Sequence, residues 1–283
     1  MIRNVCIASV HLGVILIHLL LTGCGEPPVA VPSSALVTES PPPSPTLASD
    51  GPASTIDKIL TVHTERETFT GAVLVARNGE ILLSQGYGWA DRENQITNTP
   101  QTKYRLGSIT KQFTAMAILI LQSREQLNVQ ERICRYLPEC PDSWQEITIH
   151  HLLTHTSGIP DLTEFSDYKT FKATPTTPEQ TIARFKDKPL DFQPGEKCSY
   201  SNSGYVLLGI IIEQVSGRSY EMFLQQNIFD PLQMKNTGYD HNDDSLATGY
   251  TGVDSNWEKP AYIDMTLPYA AGGLYSTVED LYR

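Results

Sequence analysis

Two apolar runs, Gly71-Ala-Val-Leu-Val-Ala76 and Glu80-Ile-Leu-Leu-Ser-Gln85, are separated by a turn at Asn78-Gly79. An Asn-Gly pair tolerates the positive φ angles of a two-residue turn, so the runs are expected to pair as an antiparallel hairpin. Two strands are marginal in water, and this hairpin has to be covered by something else. The remaining signals are mostly helical. Ile56, Ile59, Leu60 and His63 mark one face of a short helix. A further helix is expected from about Thr148, ending before Gly158. Thr177, Pro178 and Gln180 form an N-cap, first position and capping box for a helix running to about Lys186. Apolar helices are expected from about Gly204 to Val215, stopped by Gly217, and near Tyr220 to Ile228, ending at Pro231. A last capping box reads Ser276-Thr-Val-Glu279. The chain is thus a hairpin, a helix-rich middle and a return. Strands that would complete a sheet around the hairpin are not recognisable before residue 283.

Between hairpin and middle, Tyr104 to Leu121 reads YRLGSITKQFTAMAILIL, with Ser108 three residues before Lys111. Residues three apart share a helix face, which places the Lys111 side chain about one turn from the Ser108 hydroxyl. A serine in the first turn also lies near unpaired backbone N–H groups and the positive end of the helix dipole. Phe113, Met116, Ala117, Ile120 and Leu121 continue the apolar pattern, so the Lys111 ammonium should be partly desolvated. Desolvation lowers a lysine pKa and frees the amine to act as a base.

Spacing alone decides nothing. Ser166 and Lys169 have the same separation, but in a polar stretch with no apolar helix behind them. On spacing alone the preferred reading of Ser108 is an N-cap, with Lys111 a solvated surface residue. Tyr200 and Asn202 shift the balance. They form the only Tyr-x-Asn in the chain, directly before an apolar helix, and in an extended loop both side chains point the same way. An ammonium beside Tyr200 is expected to favour a phenolate that takes the serine proton. Asn202 has an acceptor for Lys111 and a donor for a substrate carbonyl.

With Ser108-Ile-Thr-Lys111 and Tyr200-Ser-Asn202 stand the phrases LLTHTSGIP (152–160), QPGEKCSYSNSGYVLLG (193–209), PLQMKNTGYD (231–240) and AAGGLYST (270–277). From about Ile56 to Arg283 the chain resembles the serine β-lactamase and penicillin-binding-protein superfamily, in its class C β-lactamase, D-alanyl-D-alanine carboxypeptidase and esterase branch. The resemblance implies an α+β fold, an antiparallel sheet flanked by helices, with a helical subdomain and the active site between them. It further implies Ser108 as the acylated nucleophile, Lys111 and Tyr200 as shared general base and acid, and Asn202 as a substrate-positioning group. The substrate would be a β-lactam, a D-Ala-D-Ala peptide, or a small ester or amide. The family's third motif, Lys or His followed by a small residue and Gly, has no match after Tyr200, since Lys235-Asn-Thr-Gly238 carries one residue too many. The last strands are therefore expected to be missing. The Ser108 N–H supplies one oxyanion-hole donor and the second is not in the chain. A protein that keeps the pocket and captures cell-wall peptide or β-lactam without turnover is the alternative.

Residues 1–24 read as a targeting segment, with Arg3, an apolar run from Leu12 to Leu21, and Leu-Thr-Gly-Cys24. The last four resemble the lipobox of bacterial lipoproteins, which implies lipid on Cys24, a membrane anchor, and a place in the bacterial cell envelope facing the periplasm or exterior. Residues 25–53 are Pro- and Ser-rich and read as a disordered tether, leaving 54–283 as the folded domain. In an oxidising compartment Cys134 and Cys140, six apart, are expected to form a disulfide. Cys198, of the same parity as Tyr200 and Asn202, is read as a buried spectator thiol. A net charge of −11, with no basic run, disfavours a nucleic-acid partner. His151 and His155 lie four apart, but no Glu follows His151 as a zinc helix requires, and neither a metal nor a cofactor is expected. There is no G-x-S-x-G elbow and no glycine-rich phosphate loop.

Overall fold

The computed structural model describes residues 51–253 and 256–283. The targeting segment, Cys24 and nearly all of the tether lie outside the described residues. In chain order the elements begin with α1 (Pro52–Glu65), β1 (Gly71–Arg77), β2 (Glu80–Tyr87), β3 (Trp89–Asp91), β4 (Ile96–Thr97) and β5 (Tyr104–Arg105). The helical middle holds α2 (Thr110–Ser123), α3 (Ile149–Leu153), α4 (Tyr168–Phe171), α5 (Pro178–Ala183), α6 (Asn202–Ser216) and α7 (Tyr220–Leu224). The return comprises β6 (Gly238–Tyr239), β7 (Thr251–Val253), β8 (Asn256–Glu258), α8 (Tyr269–Gly272), β9 (Leu274–Ser276) and α9 (Val278–Tyr282).

The hairpin forms as its turn demands. Asn78 and Gly79 adopt φ of 53° and 84°, and pairing runs from Gly71 opposite Tyr87 to Arg77 opposite Glu80, with a bulge between Val75 and Ala76. α1 lies against β2, where the Tyr87 hydroxyl donates to Asp57 at 2.8 Å. Among the described residues β1 and β2 pair only with each other, while β9 is the centre of a separate antiparallel sheet, β5-β9-β6. That second sheet is the structural key to the site. It ties the strand leading into Ser108 to the AAGG phrase, through Leu106 N–H to Leu274 C=O at 2.8 Å.

The core sits in the helical middle. α6 is buried on every face from Ser203 to Ile212, and it packs against α2 and α8. Phe113 of α2 meets Phe229 edge-on, with ring centroids 5.6 Å apart, and Trp144 stacks on Phe185 at 6.0 Å. At Gly209 α6 lies close against Tyr269 and Ala270 of α8. A Cβ placed there would stand 2.3 Å from the Tyr269 ring, so only glycine admits the packing.

Several local readings need correction. α1 begins at Pro52, inside the stretch assigned to the tether. α3 covers only Ile149–Leu153, because His155 takes a left-handed φ of 57° that no continuing helix accommodates. α5 ends at Ala183, earlier than Lys186, and α6 starts at Asn202, earlier than Gly204. Beyond α7 the chain widens into a π-helical turn over Gln225–Phe229. The last cap is one residue later than expected: Ser276 closes β9, and the N-cap is Thr277, whose hydroxyl accepts the Asp280 N–H. Cys198 is half-buried rather than buried, its sulfur 3.6 Å from the Thr154 carbonyl oxygen.

Candidate active site

Ser108 stands in a tight 3-10 turn, Gly107–Ile109, between β5 and α2. Gly107 enters the turn with a φ of 52°, which lets the chain swing from strand to helix within one residue. The serine side chain is exposed, whereas Lys111, the second residue of α2, is buried with 7% of its surface accessible. Lys111 Nζ is 3.2 Å from Ser108 Oγ, as the three-residue spacing predicts.

Three buried polar residues, Thr110, Lys111 and Thr114, lie on α2, and all three reach the same segment of backbone. Thr110 Oγ1 accepts the Leu274 N–H at 3.2 Å, Thr114 Oγ1 donates to Ala270 C=O at 2.7 Å, and Lys111 Nζ donates to Ala271 C=O at 2.7 Å. Thr114 is buttressed in turn by the Tyr220 hydroxyl at 2.7 Å. The AAGG phrase therefore serves as the rear wall of the site, and its Ala271 carbonyl holds the lysine.

Tyr200 and Asn202 arrive from the far side of the fold. The Tyr200 hydroxyl is 2.7 Å from Ser108 Oγ, and Lys111 Nζ donates to Asn202 Oδ1 at 2.8 Å. The structure thus brings Ser108, Lys111, Tyr200 and Asn202 into one hydrogen-bonded cluster. Ser166 and Lys169, the pair of equal spacing, remain outside it, both exposed and Lys169 within α4. Cys134 and Cys140 are joined by a disulfide with Cα atoms 5.3 Å apart.

Two residues of the site escaped sequence reasoning. Asp161 accepts the Asn202 backbone N–H at 3.3 Å, and its two carboxylate oxygens lie 3.2 and 3.0 Å from the Asn202 side-chain nitrogen, which donates to them. Those bonds fix which end of the amide faces Lys111. His155 clamps the loop that carries Tyr200: its C=O accepts the Ser199 N–H at 2.9 Å and its Nδ1 accepts the Ser201 N–H at 3.1 Å. The imidazole also lies against the Tyr200 ring, centroids 4.5 Å apart. Both belong to LLTHTSGIP and the residue after it, and their only signal was the proximity of a His and an Asp in a phrase already noted. His151 is engaged elsewhere, its Nδ1 accepting the Thr148 N–H in a capping box. Among the described residues no three His, Cys, Asp or Glu side chains are grouped to hold a metal ion.

Burial governs the electrostatics. Desolvation lowers the Lys111 pKa to about 8, against a smaller upward pull from Asp161. Burial, with the Lys111 charge adding to it, pushes His155 down to about 4, so its ring is neutral. The Tyr200 hydroxyl moves the other way from the expectation of a favoured phenolate. Its burial raises the pKa above the ordinary value and outweighs the hydrogen bond from Ser108. At neutral pH the proton therefore stays on Tyr200.

Beside Ser108 opens a cavity of about 320 Å³. Leu162, Val206, Met265 and Leu267 give it apolar walls, and Asn202, Gly272 and Arg105 line it as well. No helix among the described residues is long and apolar enough to cross a membrane.

Known proteins resemble the chain in sequence and in fold. A putative penicillin-binding protein, PbpX of Bacillus subtilis (strain 168), is 34% identical over 218 residues, covering 76% of this chain and 54% of that protein. The crystal structure of a penicillin binding protein from Bacillus halodurans superposes with a TM-score of 0.68 at 31% identity, covering 79% of this chain and 70% of that one. A D-amino acid amidase from Ochrobactrum anthropi SV3 superposes with a TM-score of 0.69 at 27% identity, covering 80% and 67%. The chain spans about half the length of the curated relatives it matches. Residues 56–283 match the family described as Beta-lactamase, and to that family the chain belongs.

Proposed function

We propose that this protein is a serine hydrolase that forms an acyl-enzyme on Ser108 and releases it to water. The observation that carries the reading is that Ser108 Oγ lies at once 2.7 Å from the Tyr200 hydroxyl and 3.2 Å from the nitrogen of a buried lysine. Relatives named as penicillin-binding proteins and a D-amino acid amidase support acyl transfer from an amide carbonyl. The substrate is then a β-lactam, a D-Ala-D-Ala peptide, or a small ester or amide.

The roles follow from where the protons rest. Asn202 Oδ1 and Ala271 C=O each take one Lys111 N–H, leaving one direction, toward Ser108. In the ammonium that direction holds a third N–H; in the amine it holds the lone pair. With a pKa of about 8, roughly a tenth of the lysine is amine at neutral pH. As Ser108 Oγ attacks the carbonyl carbon, its proton passes to that lone pair. Charge on the carbonyl oxygen develops next to the N-terminal end of α2, where the helix dipole is positive. Tyr200, still protonated, gives its hydrogen to the leaving atom as the carbonyl bond to it breaks. The phenolate left behind is stabilised by the Lys111 ammonium, 4.8 Å from its ring centre. Deacylation reverses the transfers: the phenolate takes a proton from the attacking water, and Lys111 returns its proton to Ser108 Oγ as the ester bond breaks. Asn202 holds Lys111 in place throughout, and Asp161 holds Asn202.

The test is covalent labelling of the full chain with a fluorophosphonate and with a fluorescent penicillin, compared with Ser108→Ala. The wild-type protein should take label at Ser108 and the variant should not; equal labelling of the two would overturn the assignment. Release of label over time then separates turnover from capture.

A further inference from the structure

α6 divides two cavities. Val206 lines the one beside Ser108, and Leu207, the next residue, lines a second of about 320 Å³. Successive residues of an α-helix project about 100° apart, so one helix presents neighbouring faces to the two spaces. Ile210 and Gln214 continue the second face at helical spacing. Another wall comes from α5 and the segment after it, through Glu179, Ile182 and Lys186. The third is the loop that bears Leu137 and Glu139.

These walls are held in place. Leu137 and Glu139 lie inside the loop closed by the Cys134–Cys140 disulfide, and α5 starts from the Thr177 and Gln180 capping box. Lys186 Nζ donates to Glu139 Oε2 at 2.8 Å, joining the loop to the α5 segment. A cavity whose walls are already fixed loses little freedom when a ligand enters. Its volume is within the range of small-molecule pockets. The lining is also polarised: Leu207, Ile210 and Leu137 are buried, whereas Glu139, Glu179 and Gln214 are exposed. Two lining carboxylates therefore accompany one lining ammonium. The hydrogen bond between Glu139 and Lys186 holds the carboxyl below and the ammonium above their ordinary values, so both stay ionised and neutralise each other. Glu179 has no ion-pair or side-chain hydrogen-bond partner among the described residues. One negative charge is left over beside an apolar floor.

We propose that this cavity is a second ligand site, for small molecules that join an apolar body to a cationic amine, the body packing over Leu207 and Ile210 and the ammonium meeting Glu179. An anion would have to draw Lys186 away from Glu139 and stand beside Glu179. A neutral molecule keeps only the apolar contact. The site is separate from the chemistry at Ser108 and stands or falls without it.

The experiment uses the full chain and three probes with one apolar body: phenethylammonium, 2-phenylethanol and 3-phenylpropanoate. Affinities are measured by titration with ligand-observed NMR. The wild-type protein should bind the ammonium most tightly and the carboxylate least. The ammonium should lead the alcohol by about 2- to 5-fold, the range of a solvent-accessible ion pair, and the lead should shrink in 1 M salt. Glu179→Gln should bring ammonium and alcohol level, and Glu179→Lys should place the carboxylate first. Residue 179 is exposed, so both variants keep the fold, which urea denaturation checks. Ile182→Trp, at a half-buried position in the wall, takes up cavity volume and should weaken all three probes although Glu179 is intact. Equal wild-type affinity for ammonium and alcohol, an unchanged order in Glu179→Gln, or full binding by a folded Ile182→Trp would each overturn the proposal. Should Ile182→Trp not fold, the reversal expected in Glu179→Lys decides the matter.

Discussion

Lys111→Met removes the titrating group while keeping an unbranched side chain in its place, and it yields a measurable signature of burial. In the folded chain Lys111 releases its proton near 8, in the unfolded chain near the ordinary 10.5. Between those values the unfolded state binds more protons, so wild-type stability rises with pH across that window. Below about pH 7 both states hold the proton and the full cost of burying the ammonium is present. The gain grows to about 1 kcal/mol by pH 9 and to about 3 kcal/mol above the unfolded pKa. Buried tyrosines such as Tyr205 and Tyr104, raised to about 12, titrate in the opposite sense at higher pH. They are common to both proteins and cancel in the difference. The assay is urea denaturation of wild type and Lys111→Met at pH 7, 8 and 9, plotting the stability difference against pH. A rising difference supports a desolvated lysine. A difference flat to within about half a kcal/mol would mean that Lys111 titrates normally, and the neutral-amine mechanism would fall with it. The labelling rate of the wild type should rise over the same range and level off above about pH 8.

Asp161→Ala frees the Asn202 amide to turn over, and should slow labelling of Ser108 by roughly 10-fold. Because the Asp161 charge holds the Lys111 pKa up, the variant's pH-rate midpoint should move below about 8, a shift that a merely loosened loop would not produce. Gly209→Ala puts a methyl group 2.3 Å from the Tyr269 ring and 2.6 Å from Ala270 Cβ. Urea denaturation should show a loss of about 1–3 kcal/mol, and labelling should slow as well, since Ala271 C=O belongs to the displaced segment.

The nucleophile cluster was legible because each of its members carries a local signal. Ser108 and Lys111 share a helix face, and Tyr200 and Asn202 share a parity just before the most apolar helix of the chain. Thr177 and Gln180 announced their capping box for the same reason, and the structure shows both of its hydrogen bonds. What depended on distant packing was hidden. The Ala271 carbonyl has no side chain to advertise its part, and Asp161 matters only because Asn202, 41 residues later, folds against it. α3 broke early because of one residue's φ, and that left-handed His155 is the means by which the Tyr200 loop is clamped. The expected phenolate failed on a question of magnitude. Coulomb attraction to an ammonium competes with the loss of water around the hydroxyl, and at this depth the loss of water prevails.

The three anchors of Lys111 lie 3, 91 and 160 residues away along the chain. The first forms with the helix, on the timescale of local structure; the other two wait for loops of very different length to close. A molecule with α2 formed but the AAGG segment undocked would have the nucleophile without a tuned base. Reactivity at Ser108 is therefore acquired last, when the most remote segment arrives. A covalent probe applied during refolding would count only finished molecules, making the site a clock for its own assembly.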